Sequence, residues 1–137
     1  ARAKVIDAYA VLAKIYERGN GCVNQNLDKA LKLYQIAASL DHSLSLNNIG
    51  VLMEYGKGID INTVQAAQCY KRAADLGNSF AMNNLGSLYH YGKGVPKDYA
   101  MAFKYYHLSA SQGNKVGCAN LGLLYELGNG VKKDINN

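Results

Sequence analysis

The 137-residue chain is 49% hydrophobic and 18% charged, enough apolar material for a buried core, which excludes disorder as a global description. Its charge of +5, from 15 Lys and Arg against 10 Asp and Glu, includes no run of five like charges, so it speaks for solubility more than for nucleic acid. No stretch approaches the roughly 18 uninterrupted apolar residues of a membrane-spanning helix, and no charged-then-apolar leader opens the sequence. It starts at Ala1 without Met, which fits a processed protein or an excised fragment.

Along the chain one unit recurs. "ERGNGC" (17–22), "EYGKGI" (54–59), "HYGKGV" (90–95) and "ELGNGV" (126–131) place Gly56, Gly92 and Gly128 at intervals of 36, with the first copy 37 earlier. Asn26, Asn62, Asp98 and Asp134 recur at 36, as do Ala30, Ala66, Ala102 and Tyr34, Tyr70, Tyr106. The extra residue therefore falls between Gly21 and Asn26, where a loop absorbs it.

Each unit reads as two helices. The first, as in "FAMNNLGSLYHY" (80–91), keeps Ala81, Leu85, Leu88 and Tyr89 on one side at i, i+3, i+4 spacing. Gly56, Gly92 and Gly128 end these helices as left-handed caps, and Gly58 and Gly94 follow in the turns. The second helix starts after Asn26, Asn62 or Asp98, good N-cap types. It buries Ala30, Tyr34, Ala37, Ala38 and their equivalents, and closes at Asp41, Gly77 or Gly113. The spacing predicts helix pairs over 8–40, 44–76 and 80–112 and a lone first helix over 116–127. The repeats are then 8–43, 44–79, 80–115 and a truncated 116–137.

This accounts for a composition of 14 Gly with 1 Pro and 11 Tyr with 2 Phe. Gly50, Gly86 and Gly122 lie inside the first helix, where each costs about 0.5 to 1 kcal/mol relative to Ala. A recurring cost implies close packing, expected against the Ala pairs of the second helix. Tyrosine supplies an apolar body whose hydroxyl can reach polar partners at repeat junctions.

The pattern resembles the Sel-one-like repeat, the longer cousin of the tetratricopeptide repeat. The resemblance rests on "A-x-x-N-L-G-x-L-Y-x-x-G-x-G-V" (81–95), followed by Asp98, Ala102, Tyr106 and "SASQG" (109–113), and covers nearly the whole chain. It implies an all-α solenoid, helix pairs stacked into a right-handed superhelix. Departures are Ala13 in place of the helix glycine, Met53 for tyrosine and Asp41 for the closing glycine. Each repeat covers its neighbour's apolar face, so a unit that stops partway implies a longer array or end-to-end packing with another copy.

No nucleophile and base constellation can be assembled around His42, His90 or His107. Cys22, Cys69 and Cys118 have no metal-ligand spacing, so neither metal nor cofactor is expected. They read as free thiols, which favour a reducing, cytoplasmic compartment, with secreted and periplasmic locations still open. "GKG" at 56–58 and 92–94 follows a helix and lacks phosphate-loop spacing, so it reads as cap and turn.

The faces of the first helices that the core does not use carry Asn47, Asn48, Val51 and Tyr55, then Phe80, Asn83, Asn84, Ser87, His90 and Tyr91, then Asn120 and Leu123. Leu44, Val116 and Leu127 share these positions. In the tetratricopeptide superfamily this side lines the concave groove, so the resemblance assigns these residues to a peptide-binding surface and implies adaptor work. Asn48, Asn84 and Asn120 form a ladder able to pair with an extended backbone. An asparagine of the repeat signature that bonds to a neighbouring repeat's backbone is the competing reading. Lys57, Lys93, Lys97, Lys132 and Lys133 read as a solvated loop edge. A nucleic-acid-binding repeat scaffold would need a basic groove, whereas Glu17, Glu54 and Glu126 offset Lys14 and Arg18. A purely structural segment of a longer array is the remaining alternative.

Overall fold

The computed structural model describes residues 2–128. They form α1 (Arg2–Arg18), α2 (Leu27–Ser39), α3 (Ser43–Tyr55), α4 (Thr63–Asp75), α5 (Ser79–Tyr91), α6 (Tyr99–Ser111) and α7 (Lys115–Leu127), with no strand among the described residues. The expected second helix of the last unit, with Lys132, Lys133 and Asp134, lies outside them. Each odd-numbered helix packs on the even-numbered helix that follows, each even one on the next odd one, and α5 also touches α7. The result is an all-α stack of helix pairs.

Local chemistry sets the boundaries. Side-chain oxygens of Asn26, Asn62 and Asp98 accept the backbone N–H of Lys29, Gln65 and Met101 at 3.0–3.1 Å, satisfying donors the helix cannot. The same cap residues donate their own N–H to Tyr16, Met53 and Tyr89, pinning each second helix to the first helix of its pair. First helices are capped by His42, Asn78 and Asn114, which the sequence pattern had not singled out. At the other end Gly92 has φ 68°, and a side chain on Gly94 would run into the Thr63 carbonyl, so that turn seats one repeat on the start of the preceding second helix. Asp41 takes φ 61° where the other copies use Gly77 and Gly113.

The core is a column of small residues and tyrosines. Ala30, Tyr34 and Ala37 of α2 recur as Ala66, Tyr70 and Ala73 of α4, then as Ala102, Tyr106 and Ser109 of α6, all fully or almost fully buried. From α5, Ala81, Leu85 and Leu88 meet them. One apolar cluster runs from Ala13 to Tyr105, and Ala102, Tyr106 and Leu124 form a second.

The helix glycines face tyrosine rings rather than the alanine pairs. A Cβ on Gly50 would stand 2.6 Å from the Tyr70 ring, and one on Gly86 would stand 2.8 Å from Tyr106 and 3.3 Å from the Ala102 carbonyl. The physical reason is size: a ring lying flat across the partner helix leaves no room for a side chain, whereas alanines leave plenty. Gly122, the third of the series, meets nothing within 4 Å among the described residues. Gly117, not foreseen as a packing point, is buried against Ser109, whose hydroxyl donates to the Ser79 carbonyl at 2.8 Å.

Candidate functional site

The first helices place their outward residues by helical arithmetic. Residues 44, 48, 51 and 55 of α3 follow i, i+4, i+7, i+11 spacing and form one stripe. The equivalents are Phe80, Asn84, Ser87 and Tyr91 on α5 and Val116, Asn120, Leu123 and Leu127 on α7. Tyr55, Phe80 and Tyr91 are 61%, 57% and 59% exposed, and Leu44, Val116, Leu123 and Leu127 are exposed too. Asn48, Val51, Asn84, Ser87 and Asn120 are half-buried between them. On this surface α3 contributes Glu54 alone and α5 no formal charge, while α7 adds exposed Lys115 and Glu126 and Lys93 Nζ stands 6.0 Å from the centre of the Tyr91 ring.

Three residues expected on the open surface are buried. Asn47 and Asn83 sit beneath the stripes and accept hydrogen bonds across the repeat boundary. Asn84 Nδ2 donates to Asn47 Oδ1 at 2.9 Å, and Asn120 Nδ2 to Asn83 Oδ1 at 2.7 Å. The ladder thus ties neighbouring first helices together through side chains. Asn48 has no such partner, because the preceding unit has Ala10 and Val11 at the corresponding places.

His90 is the third, turned inward with 6% of its surface exposed and its Nδ1 3.4 Å from the Tyr106 hydroxyl. The cause lies in the other copies. Tyr34 donates to Glu17 Oε1 at 2.7 Å and Tyr70 to Glu54 Oε1 at 2.8 Å, so the position occupied by His90 receives the core tyrosine of the same helix pair. Glu17 and Glu54 are therefore acceptors for a core hydroxyl rather than free charges on the face. The signal available in sequence was that Glu17 and Glu54 hold equivalent places in the repeat, 17 and 16 residues before Tyr34 and Tyr70, the difference being the extra residue of the first copy. Burial first, then these carboxylates, push the Tyr34 and Tyr70 hydroxyls far above the ordinary tyrosine range. Tyr106 is pushed up to about 12, chiefly by burial.

Burial, reinforced by Lys97, holds the His90 imidazole below its ordinary pKa. The folded chain therefore keeps this ring neutral while the unfolded chain takes up a proton near pH 6.5. The neutral ring's contribution is present above that value and is lost as the pH falls through it toward the lower folded-state pKa. His90→Gln, which cannot titrate, is expected to lose less of its melting temperature between pH 7.5 and 5.5 than the natural chain. Equal losses in the two proteins would refute this role. The other histidines also have structural places: His42 accepts the Ser45 N–H as the α3 cap and touches Asp7 at 3.2 Å, while exposed His107 stacks on Phe103.

The opposite side of the stack differs in kind. A cleft of about 400 Å³ between α4 and α5 has Val64, Ala67, Leu85, Tyr89 and Val95 in its lining. Lys71 on its rim is paired with Asp75 at 2.8 Å, and Arg72 with Asp41 at 2.6 Å. Among the described residues no cluster of His, Cys, Asp or Glu has the arrangement of a metal site, and the three cysteines are free thiols.

Against known families, the Sel1 repeat model matches residues 6–42, 43–78, 79–114 and 116–137. Among solved structures the chain is similar to a protective antigen of uropathogenic Escherichia coli strains that displays an SLR fold. There the TM-score is 0.89 at 32% identity, over 97% of this chain and 28% of that one. It is also similar to a Sel1 repeat protein from Oxalobacter formigenes, with a TM-score of 0.86 at 34% identity over 96% of this chain and 54% of that one. Helicobacter pylori cysteine rich protein B follows at 0.69 and 25% identity, over 85% and 92% of the two chains. No curated protein matches. The chain thus spans 28% and 54% of the first two of these proteins.

Proposed function

The chain belongs to the Sel1 repeat family, whose arrays are in general non-catalytic scaffolds for protein–protein interaction, and we propose that it is an adaptor binding a protein or peptide across the stripes of α3, α5 and α7. It performs no chemistry in this reading, and the stripes take the part of the concave groove. One observation carries the proposal. Large apolar side chains stand exposed in register on the first helices of three successive repeats, in a surface where α5 has no charged residue at all. Clustered exposed apolar surface of this kind marks interaction sites in soluble proteins, and aromatic residues are enriched where binding energy concentrates.

A nucleic-acid scaffold finds less support, since phosphate binding needs several Lys or Arg along the groove and α3 and α5 supply none, leaving Lys93 beside Tyr91 and Lys115 on α7. The test is photo-crosslinking from single positions on the intact protein. A crosslinker at Tyr91 is expected to capture a defined partner that one at Val64, equally exposed on α4, does not. Capture of the same partner from Val64 and not from Tyr91 would move the site to the second helices.

A further inference from the structure

The cleft between α4 and α5 lies where the repeat substitutes a small side chain for a large one. Ala67 stands 36 residues after Leu31 and 36 before Phe103, and Tyr89 falls in the same way between Met53 and Tyr125. At the other two junctions both places hold large side chains. Leu31 and Met53 pack against the same apolar cluster, and the Phe103 ring meets the Tyr125 ring edge-on, with centres 5.5 Å apart and planes at 84°. At the α4–α5 junction Ala67 ends at its Cβ, and it lines, together with Tyr89, a cleft of about 400 Å³.

We propose that this cleft is a binding site for a small uncharged aromatic molecule, whose ring lies against Tyr89 in the place that Phe103 takes against Tyr125. The site is separate from the first-helix stripes. Its lining falls into two parts. Ala67 and Leu85 are buried and Tyr89 and Val95 half-buried, so the floor is apolar and set back from the surface, with Val64 the one exposed apolar residue of the lining. Gln68, Lys71, Arg72 and Asp75 form a polar, exposed rim. A molecule of this size can bury itself on the floor, whereas a protein surface laid across the opening would meet charged groups. The volume falls within the roughly 300 to 1,000 Å³ of small-molecule sites, which share this apolar lining with a few polar groups.

The rim argues for a neutral ligand. Lys71 Nζ donates to both Asp75 oxygens at 2.8 Å, and Arg72 donates to Asp41 at 2.6 Å and to the Ala38 carbonyl at 3.3 Å. Each cation of the lining thus has its own carboxylate. An ionised ligand would have to displace one of these pairs or leave its charge against the apolar floor, which is costly. Gln68 offers a donor and an acceptor to a hydroxyl or amide on the ligand. The preference for an aromatic ring comes from Tyr89, because edge-to-face ring pairs gain more than the area they bury.

The experiment titrates the intact, isotope-labelled protein with β-naphthol and, separately, with its saturated analogue β-decalol, following amide shifts by NMR. β-Naphthol is expected to saturate, with its largest shifts on Val64, Ala67, Gln68 and Tyr89, and to bind about two- to twelvefold more tightly than β-decalol. Ala67→Phe, which fills the cleft from within, is expected to abolish binding and to raise the melting temperature by roughly 2 to 8 °C. Ala67→Leu, which restores the residue of the first junction, should abolish binding too. Tyr91→Ser, on the opposite side of the stack, should leave it unchanged. The proposal falls if no shift saturates, if β-decalol binds as tightly, or if the folded Ala67→Phe or Ala67→Leu protein still binds β-naphthol. Shifts centred on Phe80 and Tyr91 that vanish in Tyr91→Ser would put the ring on the first-helix stripes and overturn the cleft as its site.

Discussion

Gly86→Leu is expected to disrupt the folding of the third repeat. Any side chain at this position of α5 starts 2.8 Å from the Tyr106 ring, with the Ala102 backbone 3.3 Å away, so neither a rotamer change nor a small shift of one atom makes room. Leucine must force α5 from α6, the pair that holds both apolar clusters in register. Overpacking of this severity reaches the upper end of about 1 to 3 kcal/mol or exceeds it, a large part of a typical stability of 5 to 15 kcal/mol. Thermal unfolding followed by circular dichroism should show a midpoint lowered by roughly 10 °C or more, or no folded baseline. Gly122→Ala provides the contrast. With no described neighbour within 4 Å, it should gain up to about 1 kcal/mol from helix propensity. A Gly86→Leu protein that melts with the natural chain would refute the close-packing account.

Tyr70→Ala is expected to cost about 3 to 5 kcal/mol, the range for removing a buried aromatic side chain. Its ring is fully buried, lies over Gly50, and places its hydroxyl on Glu54 at 2.8 Å. Removing the ring empties the space that the glycine leaves open and strips Glu54 of its donor. Tyr70→Phe separates the two contributions, because it keeps the ring and deletes only the hydrogen bond. It should cost about 1 to 2 kcal/mol, so denaturant midpoints should fall in the order natural chain, Tyr70→Phe, Tyr70→Ala. If the phenylalanine variant were as damaged as the alanine one, the hydroxyl rather than the ring would hold the pair together.

These residues show which links of the fold can be read from sequence. The second-helix caps and the glycine stops were legible because they depend on local chemistry: Gly92 and Asp98 act where the spacing puts them, whereas α1 starts at Arg2 rather than at the expected residue 8. Pairing of adjacent helices followed from the 36-residue period, which forces neighbours to repeat the same contact. The partner of the helix glycine was not legible, because periodicity places Ala73 and Tyr70 on the same buried side of α4 and only the ring's length carries it across to Gly50. His90 was misplaced for a similar reason. Helical arithmetic puts it on the flank of the stripe, and the decisive influence is Tyr106, 16 residues away. Asn84 was expected in a ladder with Asn48 and Asn120 that meets a ligand or a neighbouring repeat's backbone; its donation to the Asn47 side chain of the preceding repeat depends on how two units stack. The exposure of Tyr55, Phe80 and Tyr91 was legible only in part, since the pattern required none of them for the core but allowed half-buried packing as readily.

The central claim is that the first-helix stripes form the binding surface. The most direct measurement is a calorimetric titration of the crosslinked partner, once identified, against the natural chain and two triple variants. One variant carries Tyr55→Ser, Phe80→Ser and Tyr91→Ser. The other removes three exposed apolar side chains from the second helices through Ile36→Ser, Val64→Ser and Leu108→Ser. Loss of at least about a hundredfold in affinity for the first triple, with the second binding like the natural chain and both still folded, is the predicted result. Unchanged affinity of the folded first triple, or loss confined to the second, would contradict it.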